Sequence, residues 1–120
     1  MDWYWILFAV VFFIALILLK RLGLVDAKKA RELLANGAVV VDVRSVEEFR
    51  SRHLPGAVNI PLQQLHEDAP RRLPQKDQVL LLHCLSGTRS GMARRTLKNM
   101  GYTLVYNIGS YHRAAQILKP

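Results

Sequence analysis

Two runs in this chain, Ala38-Val39-Val40-Val41-Asp42-Val43 and Gln78-Val79-Leu80-Leu81-Leu82-His83, are apolar or β-branched almost throughout and show no polar alternation. A strand with one solvated face alternates apolar and polar residues, whereas a strand covered on both faces does not. Helical patterns flank both runs. The order of strands and helices predicts an α/β domain with a small parallel sheet and helices on both faces.

The remaining elements follow from their punctuation. Asp26 caps a helix from about Ala27 to Asn36, with Ala30, Leu33 and Leu34 on one face and Gly37 as terminator. Ser45 with Glu48 forms a capping box for a short helix to about Ser51, and Pro55-Gly56 turns the chain into a brief strand, Ala57 to Ile60. Leu62, Leu65 and Ala69 suggest another short helix, with Pro70 to Lys76 as a polar loop. A helix from Ser90 to Met100 ends at Gly101, a strand runs from about Leu104 to Ile108, and a final helix covers about His112 to Leu118.

Before this pattern begins, Trp3 to Leu19 is an unbroken apolar run. As a helix it measures roughly 26 Å, near the lower limit for a hydrocarbon core of about 30 Å. Leu22 and Leu24 would add length, Lys20 and Arg21 would snorkel, and Trp3, Tyr4 and Trp5 would sit at the interface. A cleaved signal peptide fits less well, because Asp2 precedes the run and Leu19-Lys20-Arg21 follows it. The expected organisation is a transmembrane anchor over residues 1–22 and a domain over 23–120. Lys20, Arg21, Lys28, Lys29 and Arg31 all follow the run, so the positive-inside rule predicts a single-pass protein with its N-terminus outside and its domain in the cytoplasm, as at a bacterial inner membrane. The lipid bilayer is then a partner. Cys84 is the only cysteine, which excludes an intrachain disulfide and suits a reducing compartment.

Cys84 lies between a buried strand and a helix start, at the carboxyl end of a strand, where open α/β sheets bind ligands. Ser86, Gly87 and Thr88 are small enough for the backbone to curl and aim N–H groups inward as an anion nest. The helix start adds unsatisfied N–H groups and Arg89 a full charge. Such surroundings favour thiolate over thiol and hold an anionic substrate.

Four stretches in order, Val41-Asp42-Val43-Arg44, Glu47-Glu48-Phe49, His53-Leu54-Pro55-Gly56-Ala57-Val58-Asn59-Ile60-Pro61 and Cys84-Leu85-Ser86-Gly87-Thr88-Arg89-Ser90, resemble a rhodanese domain, the fold of single-domain sulfurtransferases. The resemblance implies a five-stranded parallel sheet and an active loop from Cys84 to Arg89. It also implies that Cys84 takes sulfane sulfur from thiosulfate or a persulfide donor, forms a persulfide and passes the sulfur to a thiol acceptor such as a thioredoxin-like protein. Arg89 and the backbone donors of Leu85, Ser86, Gly87, Thr88 and Ser90 would bind the substrate. No cofactor is implied. Leu85 stands where the family often has Arg, which points to weak thiosulfate use, and Gly109-Ser110 stands where a Gly-Gly followed by Trp is usual.

The alternatives are a non-catalytic rhodanese-like module that recruits a partner, and a cysteine-dependent phosphatase. Tyrosine phosphatases follow Cys-x5-Arg, one residue longer than the loop here, and the smaller nest suits one sulfur better than a phosphoryl group. Asp42 and Arg44 read as a strand-end ion pair supporting the pocket, and His53 as a turn residue. His66-Glu67 begins a zinc-protease pattern, but Pro70 stands where its second His belongs, so no metal site is expected. The net charge of +8 raises nucleic acid as a partner. Arg71, Arg72, Arg94, Arg95 and Lys98 are not interleaved with aromatics, however, and no nucleic-acid binding is expected.

Overall fold

The computed structural model describes residues 2–120; the side chains of Arg21 and Leu22, which the sequence reading uses to anchor and lengthen the first helix, lie outside the described residues. In chain order the elements are α1 (Tyr4–Leu22), α2 (Ala27–Ala35), β1 (Val39–Asp42), α3 (Val46–Ser51), β2 (Val58–Asn59), a 3-10 turn (Leu62–Gln64), α4 (Leu65–Arg72), β3 (Leu80–His83), α5 (Thr88–Asn99), β4 (Val105–Gly109) and α6 (Tyr111–Leu118). The four strands form a parallel sheet in the order β2-β1-β3-β4.

Both central strands are covered on both sides, which is why neither alternates. Leu80, Leu82 and Cys84 face a core built with Leu65, Ala69, Ala93 and Leu97 of α4 and α5. Leu81 faces the opposite layer, with Ala30 of α2 and Tyr111, Ala114 and Ile117 of α6. The period of two along a strand thus sends His83 and Cys84 to opposite faces of the sheet.

Four strands replace the five expected. The segment after α1 reaches the β4 edge, but only Leu24 bridges Asn107, with Val25 N–H donating to the Asn107 carbonyl. Helix α2 begins at Ala27, so nothing remains to extend the pairing. Helix α4 also differs from expectation, continuing through Pro70 to Arg72. Proline leaves the carbonyl four residues earlier without its helix bond, and that residue, His66, is exposed to water.

The predicted anchor is overturned. Among the described residues, no helix is long and apolar enough to cross a membrane. Trp3 is the N-cap of α1, so the helical apolar stretch is Tyr4 to Leu19, about 24 Å at 1.5 Å per residue, short of a core of about 30 Å. The predicted single-pass topology and the bilayer as partner fall with it. The side chains of α1 from Trp3 to Leu19 are largely exposed.

Candidate active site

The loop after β3 is shaped chiefly by main-chain bonds. Cys84 N–H donates to the Gly109 carbonyl at 3.2 Å, Tyr111 N–H donates to the Leu85 carbonyl at 3.1 Å, and Ser86 forms an antiparallel bridge with Ser110. The loop is therefore clamped to the β4–α6 junction. Gly87 has φ +99°, and a Cβ there would lie 3.3 Å from Gly109 Cα, so glycine meets both the left-handed backbone and the close approach. Ser110 stands where the family pattern favours a second Gly, and its side chain caps α6 by accepting from Arg113 N–H at 3.0 Å.

Helix α5 starts at Thr88, two residues before the expected Ser90, with Gly87 as N-cap. Its first turn consequently points at the sulfur. Cys84 Sγ accepts from Gly87 N–H at 3.0 Å and from Ser90 N–H at 3.4 Å, and lies 3.5 Å from Ser90 Oγ. These N–H groups are among those a helix leaves without internal partners. The residue is fully buried. Burial pushes the Cys84 thiol up, yet the Ser90 hydroxyl, Ser90 N–H, Gly87 N–H and Ser86 N–H together outweigh it and hold the thiol below its ordinary value.

Asn107, which the sequence reading does not single out, organises these donors. Its Oδ1 accepts from Ser90 Oγ at 2.7 Å and from Gly109 N–H at 2.9 Å, while its Nδ2 donates to the Gly87 carbonyl at 3.2 Å. A shift in the β3–β4 register places Asn107 opposite Leu82 and Gly109 opposite His83. Bulges of this kind re-aim side chains next to functional sites.

Arg89 makes a two-pronged ion pair with Glu48, Nη1 to Oε1 at 2.6 Å and Nη2 to Oε2 at 3.0 Å. The pair holds the Glu48 carboxyl down at about 2, the Arg89 bonds acting against the effect of burial. Glu48 is itself fixed by the capping box, in which Ser45 N–H and Oγ–H both donate to Oε1 at 3.1 Å. Leu85, Ser86 and Thr88 are exposed, with the Ser86 hydroxyl 3.5 Å from Thr88 Oγ1.

On the other sheet face, the buried Asp42 carboxylate receives Arg44 Nε at 3.0 Å and Nη2 at 2.8 Å. Arg44 also donates to the Arg52 carbonyl at 2.6 Å and stacks on Tyr111, 4.7 Å from its ring centre. Asp42 is in register with His83 across the sheet. His83 Nδ1 donates to the Cys84 carbonyl at 3.4 Å, while Nε2 has no hydrogen-bond partner among the described residues and lies 3.8 Å from Asp42 Oδ2. Burial pushes the His83 ring below its ordinary value despite Asp42, so it is neutral near pH 7. Of these three side chains, Asp42, Arg44 and His83, the histidine is the one bonded to the loop, through the Cys84 carbonyl. His53 stacks on Phe49 and bonds to its carbonyl at 2.8 Å.

No cluster of three or more metal-ligating side chains occurs among the described residues. Several cations of the basic surface are engaged locally: Arg71 with Asp68, Arg72 with the Asn59 carbonyl, and Arg94 with the Val105 carbonyl.

A cysteine cradled by helix-start amides at a strand end agrees with what comparison with known proteins finds, since the rhodanese-like domain family matches residues 26–113. The chain belongs to this family. Among rhodanese-like relatives, it is 39% identical over 69 residues to the thiosulfate sulfurtransferase PspE of Escherichia coli, covering 58% of this chain and 66% of that protein. It is 41% identical over 69 residues to the putative sulfur carrier protein YrkF of Bacillus subtilis, covering 58% of this chain and 36% of that one. The chain thus spans less than two thirds of each of these two relatives. The human single-domain sulfurtransferase TSTD1 superimposes with a TM-score of 0.67 at 30% identity, over 78% of this chain and 96% of that one. Cys84 to Arg89, the segment expected to form the active loop, lies within the matched residues. Asn107 and His83 bond to groups of this segment, and Arg89 pairs with Glu48 of α3.

Proposed function

We propose that the protein is a sulfurtransferase, with residues 23–120 as its catalytic unit and Cys84 as nucleophile and sulfur carrier. The Cys84 thiolate attacks the outer sulfur of a donor, forming a cysteine S–S bond as the donor's own S–S or S–sulfonate bond breaks. With thiosulfate the electron pair leaves on sulfite; with a persulfide it leaves on the donor thiolate. The terminal sulfur is then attacked by an acceptor thiolate, which takes the sulfur atom and returns the Cys84 thiolate. No net oxidation occurs. The N–H groups of Leu85 to Ser90 provide the anion site, Ser86 and Thr88 shape its rim, Arg89 supplies the loop's cation, and Asp42 with Arg44 braces the strand end.

One observation carries this reading. Two helix-start N–H groups converge on Cys84 Sγ at 3.0 and 3.4 Å and favour its thiolate, as a sulfur nucleophile requires. The names of the thiosulfate sulfurtransferase PspE and the sulfurtransferase TSTD1 support it further. The test is to incubate the full chain with thiosulfate or with a small persulfide and weigh it. Gain of one sulfur atom, lost in Cys84→Ser and discharged by added thiol, is expected. Absence of any adduct with either donor overturns the proposal in favour of a binding module.

A further inference from the structure

Arg89 is the only cation between Cys84 and Ser90, and both of its terminal nitrogens are engaged by Glu48. Its planar fork is the part of arginine that matches a carboxylate or a sulfonate. Here the carboxylate already occupies it. The pairing is built rather than incidental, because Glu48 is held in place by three contacts that are independent of Arg89. Ser45 N–H and Oγ–H donate to its Oε1, and its own N–H donates to Ser45 Oγ at 3.2 Å. The position after the nucleophile is Leu85, 59% exposed and uncharged. The loop therefore offers a donor its amides and a rim of uncharged side chains, Leu85, Ser86 and Thr88, but no uncompensated side-chain cation of its own.

Amides alone suit a persulfide, whose transferable sulfur needs one small pocket and whose leaving group is a monoanionic thiolate. Thiosulfate brings two negative charges and a sulfonate, and it meets the Glu48 carboxylate next to the one guanidinium that would offset them. We infer that Glu48 is a specificity-determining residue that neutralises Arg89 and so selects persulfide donors over thiosulfate. The inference rests on the sulfurtransferase reading and refines its substrate class.

Glu48→Gln tests it directly. Glutamine at the third helical position preserves the capping box, so α3 keeps its start while the loop gains one net positive charge. Second-order rates of Cys84 loading are measured by mass for thiosulfate and for N-acetylcysteamine persulfide, whose acyl-amide portion is uncharged, in the wild-type chain and the variant. The wild type should load faster with the persulfide, and Glu48→Gln should speed thiosulfate loading about tenfold, with the persulfide rate changing less than about threefold. Raising salt should erode the gain. Should the Gln variant fail to fold, Glu48→Met removes the same charge and is held to the same result. A wild type that loads while the variant leaves the thiosulfate preference unchanged or lowered overturns this inference alone. A wild type that loads with neither donor overturns the sulfurtransferase reading and this one with it.

Discussion

The Ser90 hydroxyl lies 2.7 Å from the Asn107 side-chain oxygen, on a rotor that also reaches to 3.5 Å of Cys84 Sγ. One proton thus has the Asn107 carboxamide oxygen, the Gly87 carbonyl at 3.1 Å and the Cys84 sulfur within reach. Beside a neutral thiol the shorter bond to Asn107 holds it. Beside a thiolate, turning to the sulfur gains a charge-assisted bond, which is roughly twice as strong as a neutral one.

Ser90→Ala removes that rotor while leaving the Ser90 N–H in place. The Cys84 thiol should then titrate at higher pH, and sulfur loading near neutral pH should slow about tenfold, the equivalent of one pKa unit. Alkylation by iodoacetamide as a function of pH checks this. The wild-type midpoint is expected below the ordinary thiol value of 9.0, and the variant's nearer to it. Coincident midpoints would remove the hydroxyl from the account.

His83 gives the fold an acid-sensitive point. Its folded pKa is lowered, so the unfolded chain binds a proton more readily, and the stability due to neutral His83 is full above its ordinary value of 6.5. It is lost as pH falls below 6.5 toward the folded value. Denaturant midpoints for the wild type should decline over that window, and His83→Gln, which cannot charge, should flatten the decline. A wild type and variant that fall in parallel would contradict this.

The Asp42–Arg44 pair is buried, with side-chain exposures of 0% and 6%. Removing one partner leaves the other charge uncompensated, so Asp42→Ala should cost roughly 3–5 kcal/mol by urea unfolding. The apolar double variant Asp42→Leu/Arg44→Met should recover much of that loss, because neither charge is then buried. Equal losses in the single and the double variant would mean that packing, not charge, holds this strand end.

Two glycines separate conformational strain from crowding. Gly37 has φ +93° and open space where a Cβ would lie, whereas Gly87 has φ +99° and Gly109 Cα at 3.3 Å. Each Ala variant should lose about 1–3 kcal/mol from the strained backbone. Only Gly87→Ala should also lower sulfur loading more than tenfold, because it displaces the N–H that meets Cys84 Sγ at 3.0 Å. Thermal melts and loading rates on both variants distinguish the two effects.

The two buried strands, the capping box at Ser45 and Glu48, and the placing of Cys84 before a helix start were legible in the chain, because each is written in neighbouring residues. Asn107 was not. Its role arises from a register shift between β3 and β4, which no local pattern records. Glu48 was legible as a cap, but its other partner stands 41 residues away on a separate helix. The fifth strand was expected from resemblance and is reduced to one bridge, because α2 begins too soon after Leu24. The first helix misled for a different reason. A run of apolar letters includes its N-cap, whereas a helix rises only from the residue after it.

The cradle around Cys84 is made largely of peptide groups, while the side chains of Leu85, Ser86 and Thr88 project to solvent. The N–H groups of the buried Gly87 and Ser90 meet the sulfur, while their exposed neighbours in the same loop face water. Exchanging those three side chains would change the surface above Cys84 without disturbing the main-chain groups that meet its sulfur, so the outside of the loop is free to vary while its inside stays fixed.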